Sequence, residues 1–200
     1  MNARLTRACL AVAILAASSG TALAHPGRGD AAGFTHGFLH PLGGLDHVLA
    51  MVAVGLFAAH LGGRALWAVP ATFVAVMAAG GALGMAGAAL PFVETGIAVS
   101  VIVLGLAVAL RVSVPTLVAM GLVGFFAVFH GYAHGAEMPA DGSGASYAAG
   151  FLAATALLHA AGFALGIAVA RLGELAGRRT VQIAGGAMAL AGAVILVGVH

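Results

Sequence analysis

Apolar residues fill six long stretches of the chain, and short interruptions rich in polar residues, glycine and proline separate them. The stretches run over about 41–61, 66–88, 92–110, 114–134, 147–170 and 180–199. Because about 20 apolar residues in a helix span the hydrocarbon core of a bilayer, each stretch predicts one transmembrane helix. The pattern therefore predicts an all-α integral membrane protein, a six-transmembrane-helix bundle that forms a single domain over residues 25–200.

The first 24 residues follow a different pattern. Arg4 and Arg7 precede a short apolar run over 8–17, and an Ala-Leu-Ala sequence closes the segment. This arrangement is typical of a cleavable secretory signal peptide, and the run is too short to span a bilayer. An uncleaved first helix is the alternative. We expect cleavage after residue 24, which leaves His25 at the mature amino terminus.

The arginines indicate how the spans are oriented. With the mature amino terminus on the outer side, Arg28 lies outside and five arginines fall in inner loops, as the positive-inside rule requires. These five are Arg64, Arg111, Arg171, Arg178 and Arg179. The sequence thus predicts a multi-pass protein of a bacterial-type inner membrane with a periplasmic amino terminus.

Composition agrees with a membrane protein and excludes several functions. Hydrophobic residues make up 62% of the chain and charged residues 7%, whereas soluble domains carry about 25% charged residues. The chain has no lysine, which excludes a Walker A nucleotide site, and its net charge of +2 with no basic cluster excludes nucleic acid as a partner. The lone cysteine, Cys9, lies in the signal segment, so the mature chain has no thiolate.

Nine histidines are unexpected in such an apolar chain, and several form a cluster where the first span begins. In the sequence His36-Gly-Phe-Leu-His40-Pro-Leu-Gly-Gly-Leu-Asp46-His47, one unbroken helix would bring the three histidines within about 40° of one another. Pro41 and the following glycine pair predict an interruption. Asp46 is either a direct metal ligand or an acceptor that fixes an imidazole tautomer.

A second cluster lies at the outer end of the fourth span. His130, His134 and Glu137 are spaced i, i+4 and i+7, which places them on one stripe of a helix. Imidazole and carboxylate groups from two helices form a ligand set that suits nickel, cobalt, zinc or iron(II). Ionisable groups in a membrane are energetically costly, so the two clusters favour a metal site over a structural polar network.

The remaining histidines give weaker signals. His159, in the fifth span, either completes the site from a third helix or bonds a neighbouring carbonyl. His25 and His36 are candidate capture ligands at the outer face, while His60 and His200 are given no role. Met51, one turn after His47, is interpreted as packing.

Many glycines are spaced by four residues, which lets helix backbones approach closely in lipid. Three such pairs are Gly80 and Gly84, Gly131 and Gly135, and Gly162 and Gly166. We expect these pairs to mark contacts between helices.

The two clusters resemble the signature sequences of the HupE/UreJ family of nickel and cobalt permeases. The matching motifs are H-x5-D-H from His40 to His47 and F-H-G-x-A-H-G-x-E from Phe129 to Glu137. The resemblance implies uptake of Ni²⁺ or Co²⁺ for hydrogenase or urease, with the metal as transported substrate and no permanently bound cofactor. It marks His40, Asp46, His47, His130, His134 and Glu137 as the motif positions.

The function predicted from these features is secondary, non-ATPase transport of a divalent transition-metal ion through a site between the first and fourth spans. The membrane potential drives such an ion inward by about 4.6 kcal/mol per 100 mV, so no nucleotide is needed. The alternatives are an integral-membrane zinc hydrolase and a periplasm-facing metal sensor or assembly factor. Besides the metal ion and the lipid bilayer, the sequence leaves a homo-oligomer open as a partner.

Overall fold

The computed structural model describes residues 29–138 and 144–199, and it is all-helical in these ranges. The seven helices are α1 (Gly29–Gly43), α2 (Leu45–Leu61), α3 (Ala65–Met85), α4 (Val93–Ala109), α5 (Thr116–Ala136), α6 (Gly144–Ala170) and α7 (Glu174–Gly198). No strand occurs within the described ranges, so the all-α prediction is confirmed there.

Four of these helices, α3, α5, α6 and α7, are long and apolar enough to cross a membrane. The pair α1 and α2 meets the same criteria together, while α4 is a shorter apolar helix of 17 residues. The described residues thus contain four such helices, or five if the bent pair is one span. The count of six spans stays a prediction. The signal segment over 1–24 and His25 lie outside the described residues.

The predicted first span is divided into two helices. Gly44 has an extended backbone (φ −96°, ψ 117°), and the helices on its two sides meet at an angle of 84°. The expected interruption is therefore present at Gly44, in the predicted glycine pair, whereas Pro41 lies inside α1 and does not end it. His36 and His40 consequently belong to α1 and His47 to α2, so the single stripe of three histidines does not form.

Glycines bring several helices into contact through their backbones. Gly131 and Gly135 of α5 pack against the carbonyl groups of Met77 and Gly81 in α3, and a Cβ atom at Gly80 would lie 2.5 Å from the carbonyl oxygen of Val128. The predicted close packing is thus confirmed for these residues. Similar contacts join α2 to α6, α1 to α6 and α4 to α7, through Gly55 and Gly162, Gly37 and Gly150, and Gly105 and Gly185.

Polar groups separate to the two ends of the bundle. The histidine end, where α1 meets α2 and α5 finishes, carries His40, Glu94 and Glu137; the arginine end carries Arg111 and Arg178. Between them lies a buried apolar core that includes Met51, Phe57, Phe73 and Met77. Large apolar side chains such as Trp67, Leu117 and Ile183 are exposed on the flanks, as lipid contact requires.

Candidate metal centre

The outermost part of the site joins α1 to the end of α5. The Nε2 atom of His40 lies 3.0 Å from Oε2 of Glu137, the residue that follows the last helical residue of α5. His134, one turn earlier, completes a group in which one ligand atom from each residue lies within 4.8 Å of the others. Glu137 is exposed and His134 is buried, so the group leads from the surface inward.

Three imidazoles lie together beneath this group. The ring centroid of His47 is 4.3 Å from that of His134 and 4.7 Å from that of His130, so α2 and α5 meet through their histidines. All three side chains are buried, with His130 completely inaccessible to solvent. Burial of several imidazoles is costly unless hydrogen bonds or a metal ion use their nitrogen atoms.

Asp46 determines which nitrogen of His47 is free. One carboxylate oxygen, Oδ1, accepts hydrogen bonds from the backbone N–H of His47 (2.8 Å) and from its ring Nδ1–H (2.9 Å). The ring proton therefore stays on Nδ1, and the lone pair of the buried Nε2 has no hydrogen-bond partner among the described residues. Of the two roles open to Asp46, this contact matches the acceptor that fixes a tautomer, here that of the adjacent His47.

Ser100 orients His130 in a corresponding way. The Ser100 hydroxyl in α4 is buried and donates its only proton to the carbonyl oxygen of Ile97, at 2.6 Å. Its oxygen lies 2.8 Å from Nε2 of His130, so that bond requires His130 to donate from Nε2–H. The lone pair of His130 is then on Nδ1, which is buried and has no partner within the described part of the chain.

His134 is held by packing instead of hydrogen bonds. Its ring lies against Phe151 of α6, with centroids 3.9 Å apart, and both ring nitrogens are buried without a hydrogen-bond partner in the described ranges. Together with His47 and His130 it presents nitrogen lone pairs that no group in the described part of the chain uses. Nitrogen donors of this kind bind divalent transition metals such as nickel, cobalt and zinc.

A cavity of about 360 Å³ at the histidine end connects His47 and His134 to the surface, while His130 does not line it. His40, Asp46, His47, His134 and Glu137 line it, and α4 adds Glu94 and Ile97. Glu94 and Ser100 were not among the candidate residues from the sequence. An acid at the outer end of one span and a single serine within it were the available signals, but neither belongs to a histidine motif.

The other candidates lie at the edge of this centre or apart from it. His36 is exposed at its edge, where its ring contacts those of His40 and Tyr147. His159 is buried beside Phe73 and does not line the cavity. Met51 belongs to the apolar core, in agreement with its interpretation as packing, and His60 bonds the carbonyl oxygen of Arg111 at the arginine end.

Comparison with known proteins identifies the family. The family model for the HupE / UreJ protein matches residues 12–195. The chain belongs to the HupE/UreJ family. A HupE/UreJ relative, Protein HupE of Rhizobium leguminosarum bv. viciae, is 53% identical over 185 residues, which cover 92% of this chain and 95% of that protein. No solved structure matches the chain.

Membership in the HupE/UreJ family supports the functional class expected from the motifs. The family is associated with nickel and cobalt uptake for hydrogenase and urease, and it consists of metal transport and accessory proteins. A metal ion and a lipid bilayer are therefore partners that both the family and the apolar helices fit.

Proposed function

We propose that this protein carries Ni²⁺, and also Co²⁺, into the cytoplasm by secondary transport through the histidine centre between α2 and α5. The observation that carries the proposal is the group formed by His40, His134 and Glu137, whose ligand atoms lie within 4.8 Å of one another. The buried rings of His47 and His130 lie next to this group and also have an unused ring nitrogen. Two of these imidazoles are already in a defined tautomer, through Asp46 and Ser100.

The arrangement favours passage of an ion over its permanent retention. Carboxylates at the mouth, Glu94 and Glu137, attract a hydrated divalent cation, and the buried imidazoles then replace part of its water shell. The donors include no thiolate, since the chain's single cysteine is Cys9. Imidazole and carboxylate ligands release nickel more readily than thiolates would, and conduction requires release.

The charge of the ion supplies the driving force. A divalent cation that moves into a negative interior gains about 4.6 kcal/mol per 100 mV, which corresponds to roughly a thousandfold accumulation. The predicted orientation places the histidine end outside and the arginine end inside. With this orientation, an inside-negative membrane potential is sufficient to drive uptake of the ion.

Accumulation of radioactive nickel and cobalt in cells that lack other nickel uptake tests the proposal. We expect His47→Ala and His130→Ala to abolish potential-dependent uptake, because each removes a buried donor. The matched control is His200→Ala, which removes a histidine that belongs to neither sequence motif. All variants are compared at equal membrane expression.

Wild-type uptake in both His47→Ala and His130→Ala would refute the proposed site. Wild-type protein that accumulates neither metal would refute the transport function itself. If the purified protein instead retains one zinc ion through dialysis and hydrolyses a lipid or peptide, the membrane hydrolase is the better description.

A further inference from the structure

His159 is a buried histidine that the outer centre does not use. It lies on α6 with 3% of its surface exposed, and neither ring nitrogen has a hydrogen-bond partner among the described residues. An unsatisfied buried polar group costs about 1–3 kcal/mol, so a histidine in this place calls for a function. The alternative from the sequence, a bond to a neighbouring carbonyl, is not formed.

Phe73 of α3 touches both His159 and the outer centre. Its ring centroid lies 5.2 Å from that of His159 and 5.7 Å from that of His130. One turn further along α3, Met77 packs against Gly131, the neighbour of His130. Because α3 runs toward the histidine end, Phe73 and His159 lie about one helical turn closer to the arginine end than His130 does.

A layer of further donors lies at the level of His130. Thr155 precedes His159 by one turn of α6, and its hydroxyl lies 3.9 Å from the sulfur atom of Met77, toward which it donates. Both side chains are fully buried, as is Phe73. A hydroxyl oxygen, a thioether sulfur and an imidazole nitrogen therefore follow one another along the α3–α6 contact, and all three atoms can act as metal donors.

A second cavity lies about two turns of α6 beyond His159. It has a volume of about 300 Å³ and is lined by Leu56, Gly166, Arg111 and Glu174, at the arginine end. Gly55, the neighbour of Leu56, packs against the carbonyl group of His159. Along the bundle, His159 thus lies between the outer centre and the residues that line this inner cavity, although it lines neither cavity.

We propose that His159 is a second, inner metal-binding position, which takes the ion from His130 past Phe73 and releases it into the inner cavity. The inference rests on the proposed transport function and extends it to a route. Its ligand class is a divalent transition-metal ion that has shed part of its water. The inner cavity also contains two possible ligands, the exposed carboxylate of Glu174 and the ring of His60, whose Nε2 is bonded to the carbonyl oxygen of Arg111. The guanidinium groups of Arg111 and Arg178 repel the ion there and weaken its retention.

The test uses the full chain, purified and reconstituted in liposomes with an inside-negative potential and a nickel-sensitive dye enclosed. His159→Gln keeps a polar side chain of similar size but lacks the imidazole donor. We expect its maximal rate of Ni²⁺ entry to fall at least tenfold, while its KM and its equilibrium affinity for Ni²⁺ in detergent stay within threefold of wild type. His47→Ala should instead lose affinity.

His159→Cys supplies a measurement that a merely structural role would not move. A thiolate at position 159 favours softer ions, so we expect the ratio of Cd²⁺ to Ni²⁺ entry to rise at least fivefold. An unchanged ratio, or wild-type rates in His159→Gln, would overturn the inner position. Loss of equilibrium affinity in folded His159→Gln, judged by its helical circular dichroism, would place His159 in the outer centre and overturn it as well.

Failure of the proposed transport function gives a different result from failure of the inner position. In that case wild-type protein passes no Ni²⁺ into the liposomes under any potential, and the inner position falls with it. If wild-type protein transports Ni²⁺ and the His159 variants transport it equally well, the inner position is wrong and the transport function stands.

Discussion

Ser100→Ala removes the group that fixes the tautomer of His130 and leaves every proposed metal ligand in the sequence unchanged. In the wild-type protein the Ser100 hydroxyl donates to Ile97 and accepts from Nε2–H of His130, at 2.6 and 2.8 Å. Alanine leaves that N–H buried with no acceptor, at a cost of about 1–3 kcal/mol. The imidazole avoids this cost by moving its proton to Nδ1 or by rotating, and either change removes the Nδ1 lone pair from the centre.

The expected effect is a loss of metal affinity. Removal of a hydrogen-bond partner from a metal-binding histidine typically weakens binding about 10- to 100-fold, which corresponds to about 1.4–2.7 kcal/mol. Because the side chain is small and the bond is buried, we expect the helical content to remain that of wild type. Ser100→Thr retains the hydroxyl and is the matched control.

Two measurements check this reasoning. Equilibrium dialysis against Ni²⁺ gives the affinity, and ¹⁵N chemical shifts of labelled His130 give the tautomer in the metal-free protein. We expect Nε2–H in wild type and Ser100→Thr, and its loss in Ser100→Ala. Wild-type affinity in Ser100→Ala, or a tautomer that does not change, would refute the role of Ser100.

Three further predictions follow from the packing and charge of the site. Gly135→Ala places a methyl group against the carbonyl of Gly81 and should destabilise the protein by about 1–3 kcal/mol, measured as a lower thermal midpoint in detergent. Gly121→Ala is the control, because its methyl group meets nothing within 4 Å and should leave the midpoint unchanged. Glu137→Gln removes an exposed charge from the mouth of the outer cavity and should raise the KM for Ni²⁺ severalfold at unchanged maximal rate. Its control is Glu174→Gln, which removes a charge at the arginine end. Equal KM values for the two variants would contradict the role of the charge at the mouth. Lowering the external pH at fixed internal pH should raise the KM for Ni²⁺, because protons compete with the metal for imidazole lone pairs. A loss of uptake that excess Ni²⁺ does not reverse would contradict this competition.

Local patterns in the chain were sufficient to predict the helices and the two histidine groups. The i, i+4 spacing of His130 and His134 directly determines that both point to one side of α5, and the glycine spacing likewise determined which helix faces approach closely. These features depend on neighbours within one helix. The structure therefore agrees with them where it describes the chain.

Features that depend on contacts between distant segments were not predictable. The turn of 84° at Gly44 places His40 and His47 on two different helices. The packing of α1 on α6 then brings both side chains to one cavity. Ser100 is 30 residues from His130, and a lone serine in an apolar span is indistinguishable in sequence from one that merely bonds its own helix. The role of such a residue becomes visible only when two helices are placed side by side.

The glycine contacts also determine which parts of the protein move together. Backbone packed on backbone leaves no side chain to rearrange, so we expect α3 with α5, and α2 with α6, to move as two stiff units. His130 and His134 belong to the first unit, and His47 and His159 belong to the second. An ion held between His47 and His134 is then a removable cross-link between the two units: its arrival draws them together, and its departure frees them to slide.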